Sequence, residues 1–143
     1  MATRYDARMK RGYKILKKMG RDNLMLDQKE AYPDLYELSV GHLFGDIWAR
    51  PHLSLRERQL ITLATNIALA RPTGNHSHYH SALHIGIKKA EIMELIIQVG
   101  AYAGWPVMGL ALRQLNKVLA VADARKKQKK PRDMAEVSAG WER

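Results

Sequence analysis

Helical spacing of apolar residues is the feature that most constrains this chain. Apolar residues recur every three or four positions from Arg4 to Ala124, and no stretch shows the strict apolar–polar alternation of a half-buried strand. Leu, Ile, Ala and Met are common and there is a single Phe, which favours packed helices over packed sheets. A length of 143 residues is too short for two well-packed domains. We therefore predict one all-α domain.

Proline, glycine and capping residues divide this pattern into segments. Helix starts or ends are predicted at Pro33, Pro51, Ser54, the cluster 71–74, Asn75, Gly86, Gly104 and Pro106. We expect an amphipathic N-terminal helix and connector over residues 1–30, a helical domain over 31–124 and a basic tail over 125–143. In the helix after Pro33, the apolar stripe is predicted to contain Leu35, Leu38, His42, Leu43, Ile47 and Trp48.

Composition excludes several classes of function. The chain has no cysteine, which excludes disulfides, thiolate nucleophiles and cysteine-ligated metal sites. The formal net charge is +10, but much of the excess lies at the two ends, and no aromatic-interleaved basic motif strengthens a nucleic-acid role. We expect solvated helix faces there and no nucleic-acid partner. No segment has the apolar length of a signal peptide core or a membrane span, so we expect a cytoplasmic protein with no membrane partner.

Two segments carry a family resemblance. Residues 44–64 (FGDIWARPHLSLRERQLITLA) and 86–106 (GIKKAEIMELIIQVGAYAGWP) resemble the carboxymuconolactone decarboxylase family, and the similarity runs from about Leu35 to Leu119. The resemblance implies an alkylhydroperoxidase D-like helical bundle, built around an antiparallel helical hairpin, that assembles as a trimer or hexamer. The last two helices have more apolar residues than the core of one small domain can bury, which indicates that some are buried between subunits of a homo-oligomer. These residues are Met93, Ile97, Val107, Met108, Leu110 and Leu112.

The same superfamily contains thiol peroxidases with a CxxC pair followed by a histidine. Through its spacing of eight residues to Gly86, His78 corresponds to that histidine. The two cysteines would fall at Arg71 and Gly74, and the acidic residue of the thiol relay at Gln59. Because all three groups are missing, the chain cannot be a thiol peroxidase.

The segment NHSHYHSALH concentrates four of the six histidines of the chain. On a helix, His76, His80 and His84 share one face and His78 points roughly the opposite way. The shared face could hold a metal ion in a metal-dependent enzyme. However, no acidic residue lies between Arg71 and Lys89, so we favour substrate lining and expect no metal or other cofactor.

The resemblance implies a cofactor-independent decarboxylase that acts on a small carboxylated lactone or cyclic acid, a type of reaction found in aromatic catabolism. Decarboxylation leaves negative charge on the lactone, for which Arg58 supplies a cation, and His78 is expected to act as the acid. The expected substrate-binding residues are His80, His84, Arg50, Tyr102, Trp105 and Trp48. Three alternatives stay open: a structural His78, an ion-paired Arg58, and a non-catalytic protein that binds a small ligand.

Overall fold

The computed structural model describes residues 3–21, 28–72 and 75–128, and every regular element in these ranges is a helix. This confirms the predicted all-α class. The elements are α1 (Arg4–Lys18), α2 (Gln28–Ala31), α3 (Pro33–Glu37), a π-helix (Leu38–Ile47), α4 (Leu55–Ala68), α5 (Asn75–His84), α6 (Lys89–Ala103) and α7 (Trp105–Gln128). Most of the predicted connector, Thr73 and Gly74 of the predicted turn, and the tail beyond Gln128 lie outside the described residues. Within those residues no helix is both long and apolar enough to span a bilayer.

The chain forms two compact units, Met1–Leu55 and Arg56–Arg143. In the first unit, α1 begins with a capping box in which the side chains of Thr3 and Asp6 satisfy each other's backbone N–H groups. The helix then packs against the π-helix. The buried apolar core of this unit contains Met9, Leu16, Met19, Tyr36, Val40, Phe44 and Trp48.

The π-helix places different residues in the core from those that the sequence predicts. The buried positions follow a four-residue spacing through Tyr36, Val40, Phe44 and Trp48, whereas the predicted stripe residues Leu35, Leu38, His42, Leu43 and Ile47 are exposed. The prediction of that stripe was wrong except at Trp48. It assumed the 100° rotation per residue of an α-helix, but the chain here closes wider turns, as in the bond from Trp48 N to Leu43 O (2.9 Å).

Glycine allows α1 and the π-helix to touch through their backbones. A Cβ atom at Gly12 would overlap the Val40 carbonyl, and one at Gly45 would overlap the Arg8 carbonyl. Asp46 then pairs with both arginines of α1 that face it: Arg8 Nε lies 2.8 Å and Arg11 Nη2 2.9 Å from its carboxylate oxygens.

In the second unit, all four helices contribute to one core. Its buried residues are Leu63, Ile67, Tyr79, Ala82, Ile87, Ile92, Ile96, Ala111, Leu115 and Val118. Glu91 caps α6 by accepting a hydrogen bond from Lys88 N (2.8 Å), and it also pairs with Arg56. The carboxylate therefore ties the start of α6 to α4.

Helices α4 and α5 end in the same left-handed cap. In α5, Gly86 has a φ of 93° and Ile87 N bonds back to Ala82 O (3.0 Å). In α4, the equivalent residue is Ala70, with a φ of 50°, followed by a bond from Arg71 N to Asn66 O (3.2 Å). Glycine is the usual residue at such a position because it has no Cβ to clash, so Ala70 carries backbone strain that Gly86 does not.

Candidate active site

Helix α5, which carries the histidines, is buried on most of its sides although most of its residues are polar. Tyr79 and Ala82 belong to the apolar core of the second unit. Its buried polar residues are Asn75, Ser77, His80 and Ser81. Burying polar side chains costs free energy unless they find partners, so an enclosed polar helix is where a functional site is expected.

The most informative contact of this helix joins His78 to Gln59 of α4. Gln59 Nε2 donates a hydrogen bond to the backbone oxygen of His78 (2.8 Å) and lies 3.3 Å from Nδ1 of its ring. The carbonyl oxygen can only accept, which orients the amide with its NH2 group toward His78. Because that NH2 group can only donate, Nδ1 acts as acceptor and the hydrogen of the neutral ring is assigned to Nε2.

Three side chains in the described part of the second unit have a buried oxygen without a hydrogen-bond partner: Gln59 (Oε1), Asn75 (Oδ1) and Ser81 (Oγ). Gln59 and Ser81 are fully buried. Each atom is a polar group that a water molecule or a bound ligand can satisfy. Sequence reasoning did not identify Gln59 as a site residue, although the resemblance had marked its position as that of a relay acid.

The other histidines of α5 occupy three different environments. His76 is half-buried, His80 is buried and His84 is exposed. Across the described ranges, no three His, Cys, Asp or Glu side chains come together in a way that could hold a metal ion. The geometry thus offers no support for the alternative metal site at His76, His80 and His84.

Arg58 is half-buried on α4, next in sequence to Gln59 and therefore about 100° away around the helix axis. One acidic residue that could have held Arg58 in a structural ion pair is engaged elsewhere, since Glu91 pairs with Arg56 and caps α6. Arg58 and Gln59, which contacts His78, therefore lie on the same helix, α4.

The predicted aromatic residues lie in separate places. Tyr102 and Trp105 flank Gly104, where α6 breaks with a φ of 109°, and they are 87% and 65% exposed. Tyr102 lines an open groove of about 470 Å³ together with Ala64, Thr65, Ala68, Gln98, Val99 and Ala103. Trp48 and Arg50 belong to the first unit, where Trp48 packs against Phe44 (ring centroids 5.7 Å apart) and Arg50 is exposed.

A polar bridge fixes the start of α5. Asn75 Nδ2 donates to Gln114 Oε1 of α7 (3.2 Å), and Gln114 Nε2 donates to the carbonyl oxygens of Arg71 (3.0 Å) and Pro72 (3.1 Å). Gln114 therefore joins α7 to both sides of the turn before the histidine helix. No local sequence signal marks this residue.

The helical part of the chain is similar to known proteins. Residues 33–117 match the model of the carboxymuconolactone decarboxylase family. The chain is 33% identical over 75 residues to a 4-carboxymuconolactone decarboxylase of Acinetobacter baylyi, which covers 52% of this chain and 56% of that protein. It is 30% identical over 70 residues to a nitrosuccinic acid decarboxylase of Metarhizium robertsii, with 49% of each covered. The chain thus spans about half the length of these curated relatives. Since the family model covers more than half of the chain, including both α4 and the histidine helix, the chain belongs to the carboxymuconolactone decarboxylase family.

Proposed function

We propose that this chain is a carboxy-lyase that removes CO2 from a small activated acid at a site centred on His78. Two similar proteins are named for the decarboxylation of 4-carboxymuconolactone and of nitrosuccinic acid. In both acids, loss of CO2 leaves an electron pair that can spread into an electron-withdrawing group, a lactone or a nitro group. We therefore propose that the substrate of this chain is also an acid with an electron-withdrawing group that can take up this electron pair.

The reaction needs few groups from the protein. The bond between carbon and the carboxylate breaks, CO2 departs, and the electron pair moves onto the oxygens of the activating group. A hydrogen-bond donor held at those oxygens stabilises the charge as it develops. The carbon finally takes up a proton.

The contact between Gln59 and His78 is the observation that carries this proposal. Because the amide keeps the hydrogen of the neutral ring on Nε2, His78 offers a fixed N–H donor for the developing oxyanion. A neutral imidazole is a poor source of a full proton. We therefore assign the proton that carbon receives to water, and to His78 the role of electrophile.

Arg58 is our candidate for the second electrophile. Its guanidinium is a planar cation with several N–H donors, which can face either the carboxylate of the substrate or the oxyanion. We retain His80 and His84 as candidate substrate contacts on α5, and Arg50, Tyr102, Trp105 and Trp48 as candidates elsewhere in the chain.

The test is CO2 release from 4-carboxymuconolactone and from nitrosuccinate by the wild type, His78→Ala and the control His42→Ala, which changes an exposed histidine outside the candidate site. Loss of one oxyanion donor lowers kcat by about 10²–10³-fold, so we expect that loss in His78→Ala and less than a fewfold change in the control. A folded wild type that turns over neither acid, or His78→Ala with undiminished turnover, contradicts the proposal.

We further propose that a second copy of the chain covers the exposed apolar side chains of the second unit. These are Ile61, Leu69, Ile97, Tyr102 and Trp105. Exposed apolar surface is a common feature of the interfaces between identical subunits. Sedimentation should show a trimer or hexamer, and Tyr102→Glu should weaken the assembly; a wild-type monomer at micromolar concentration contradicts this proposal.

A further inference from the structure

The first unit contains a cavity that the proposed decarboxylation does not use. It has a volume of about 300 Å³ and is lined by Tyr5, Met9, Tyr13, Lys29, Pro33 and Tyr36. This volume lies at the small end of the range for sites that bind small molecules. Four of the six lining residues precede residue 33, where the match to the family model begins. The cavity is therefore largely built from a part of this chain outside the family match.

Its lining offers flat apolar surface and hydrogen-bond donors at the same time. The hydroxyls of Tyr13 and Tyr36 bond to each other, and the two rings tilt by 53° with centroids 6.5 Å apart. One of the two hydroxyl hydrogens makes this bond, which leaves the other for a ligand. Burial and the hydrogen bond with Tyr13 raise the pKa of Tyr36, so its hydroxyl keeps its proton at neutral pH.

The charge of the lining selects the sign of the ligand. Lys29 Nζ lies 5.8 Å from the ring centroid of Tyr36 and contributes a positive charge, while none of the lining residues that the structure describes is acidic. The ammonium already occupies the position over the ring that a cationic ligand would take. A ligand that brings acceptor oxygens and a negative charge is matched by Lys29 and the free hydroxyl hydrogen.

From this geometry we propose that the cavity between α1, α2 and α3 is a second binding site, for a small aromatic carboxylate. The ring of the ligand stacks among the tyrosines, and its carboxylate accepts hydrogen bonds from Lys29 and from the Tyr13–Tyr36 hydroxyl pair. A planar ligand the size of benzoate suits the volume. Binding here is independent of the proposed reaction at His78.

The experiment is calorimetric titration of the full chain with benzoate, and with benzyl alcohol as an uncharged ligand of similar shape. We expect benzoate to bind with a Kd of roughly 1 mM or below and benzyl alcohol more weakly. Lys29→Met should lower the affinity for benzoate by about tenfold and leave the affinity for benzyl alcohol unchanged. Lys14→Met is the matched control, since it removes one exposed lysine of α1 that does not line the cavity.

Tyr13→Phe gives a second, independent readout, because it removes one hydroxyl of the pair and keeps the ring. Because Tyr36 is buried and Tyr13 is partly exposed, we assign the hydroxyl hydrogen that the ligand receives to Tyr13. Tyr13→Phe should therefore lower the affinity for benzoate while the melting temperature shows that the chain is folded. Benzoate binding that survives Lys29→Met but disappears in His78→Ala would place the ligand at the proposed active site and overturn the inference. Absence of benzoate binding to the wild type at 10 mM, about ten times the expected Kd, would overturn it as well.

Discussion

The amide of Gln59 faces two acceptor atoms of a single residue, the carbonyl oxygen of His78 at 2.8 Å and its Nδ1 at 3.3 Å. A donor at Nδ1 fixes which ring nitrogen carries the hydrogen. The chemical character of position 59 therefore controls whether His78 offers a donor or an acceptor at Nε2.

Gln59→Glu should reverse the tautomer of His78. An ionised carboxylate accepts hydrogen bonds, so it draws the ring hydrogen to Nδ1 and leaves Nε2 without one at high pH. We expect at least about a tenfold loss of decarboxylation, the scale of one general acid or oxyanion contact. Nitrogen-15 NMR of the imidazole reads the tautomer directly, and Gln98→Glu on the exposed side of α6 is the matched control. A wild-type spectrum with the hydrogen on Nδ1 would refute the assignment.

Ala70→Gly should stabilise the protein. Ala70 holds a left-handed conformation at the end of α4, with a φ of 50°. In this conformation a residue with a Cβ destabilises the folded state by about 1–2 kcal/mol. Glycine removes that cost, but its unfolded chain has a greater conformational entropy, which offsets part of the stabilisation. We expect a net increase of about 0.5–1 kcal/mol in the free energy of unfolding, measured by urea denaturation.

Gly86→Ala is the reciprocal test at the end of α5. No atom lies within 4 Å of the Cβ that this change adds, so only the backbone conformation opposes it. We expect destabilisation by about 1 kcal/mol. If Ala70→Gly and Gly86→Ala changed the free energy of unfolding in the same direction, the left-handed cap would not be the cause.

Gly12→Ala should destabilise the first unit strongly. The new Cβ would overlap the Val40 carbonyl, and neither backbone can move without separating α1 from the π-helix. We expect a loss of about 2–3 kcal/mol. Gly109→Ala serves as the control because its Cβ meets only Arg113 Nη1 at 3.6 Å; it should stabilise α7 by about 0.5–1 kcal/mol.

Stability of the first unit should fall in acid through Asp46. Partial burial acts to raise the pKa of Asp46, but the hydrogen bond from Arg11 and the charge of Arg8 outweigh it and hold the pKa below its ordinary value of 3.8. A carboxyl with a lowered pKa stabilises the fold above its unfolded-state pKa, and that contribution is lost as the pH falls through the folded-state value. Melting temperatures of the wild type and Asp46→Asn should differ at pH 6, and the difference should shrink as the pH falls below the ordinary value of 3.8. A constant difference across that range would contradict the assignment.

The sequence predicted those features of the fold that have local causes. Pro33, Gly86 and Gly104 mark helix boundaries because their backbone preferences act within a single turn. The sequence predicts that the last helix begins at Val107, but α7 begins at Trp105 because Pro106 is tolerated in the first turn of a helix. It also continues past the predicted end to Gln128, through basic residues that suit a helix C-terminus.

The features that the sequence did not predict depend on contacts between distant residues. The buried stripe on the π-helix follows the wider turn of that helix. Gly12 and Gly45 allow the π-helix to contact α1 through its backbone, and these two glycines are too far apart in the sequence for a local pattern to connect them. Within the site, His78 could be singled out through the family resemblance. Its partner Gln59 could not, because a polar residue inside an apolar helix gives no indication of which side chain it meets.

Enclosure of α5 by the rest of its unit also bears on how the protein can move. Because Tyr79 and Ala82 are fully buried and Asn75 is tied to α7, the histidine helix cannot swing outward or unwind by itself. Its amide hydrogens can exchange with solvent only when the packing around it opens as a whole. A ligand bound at the proposed site beside His78 would therefore contact a rigid helix, and its size and shape would decide whether it fits.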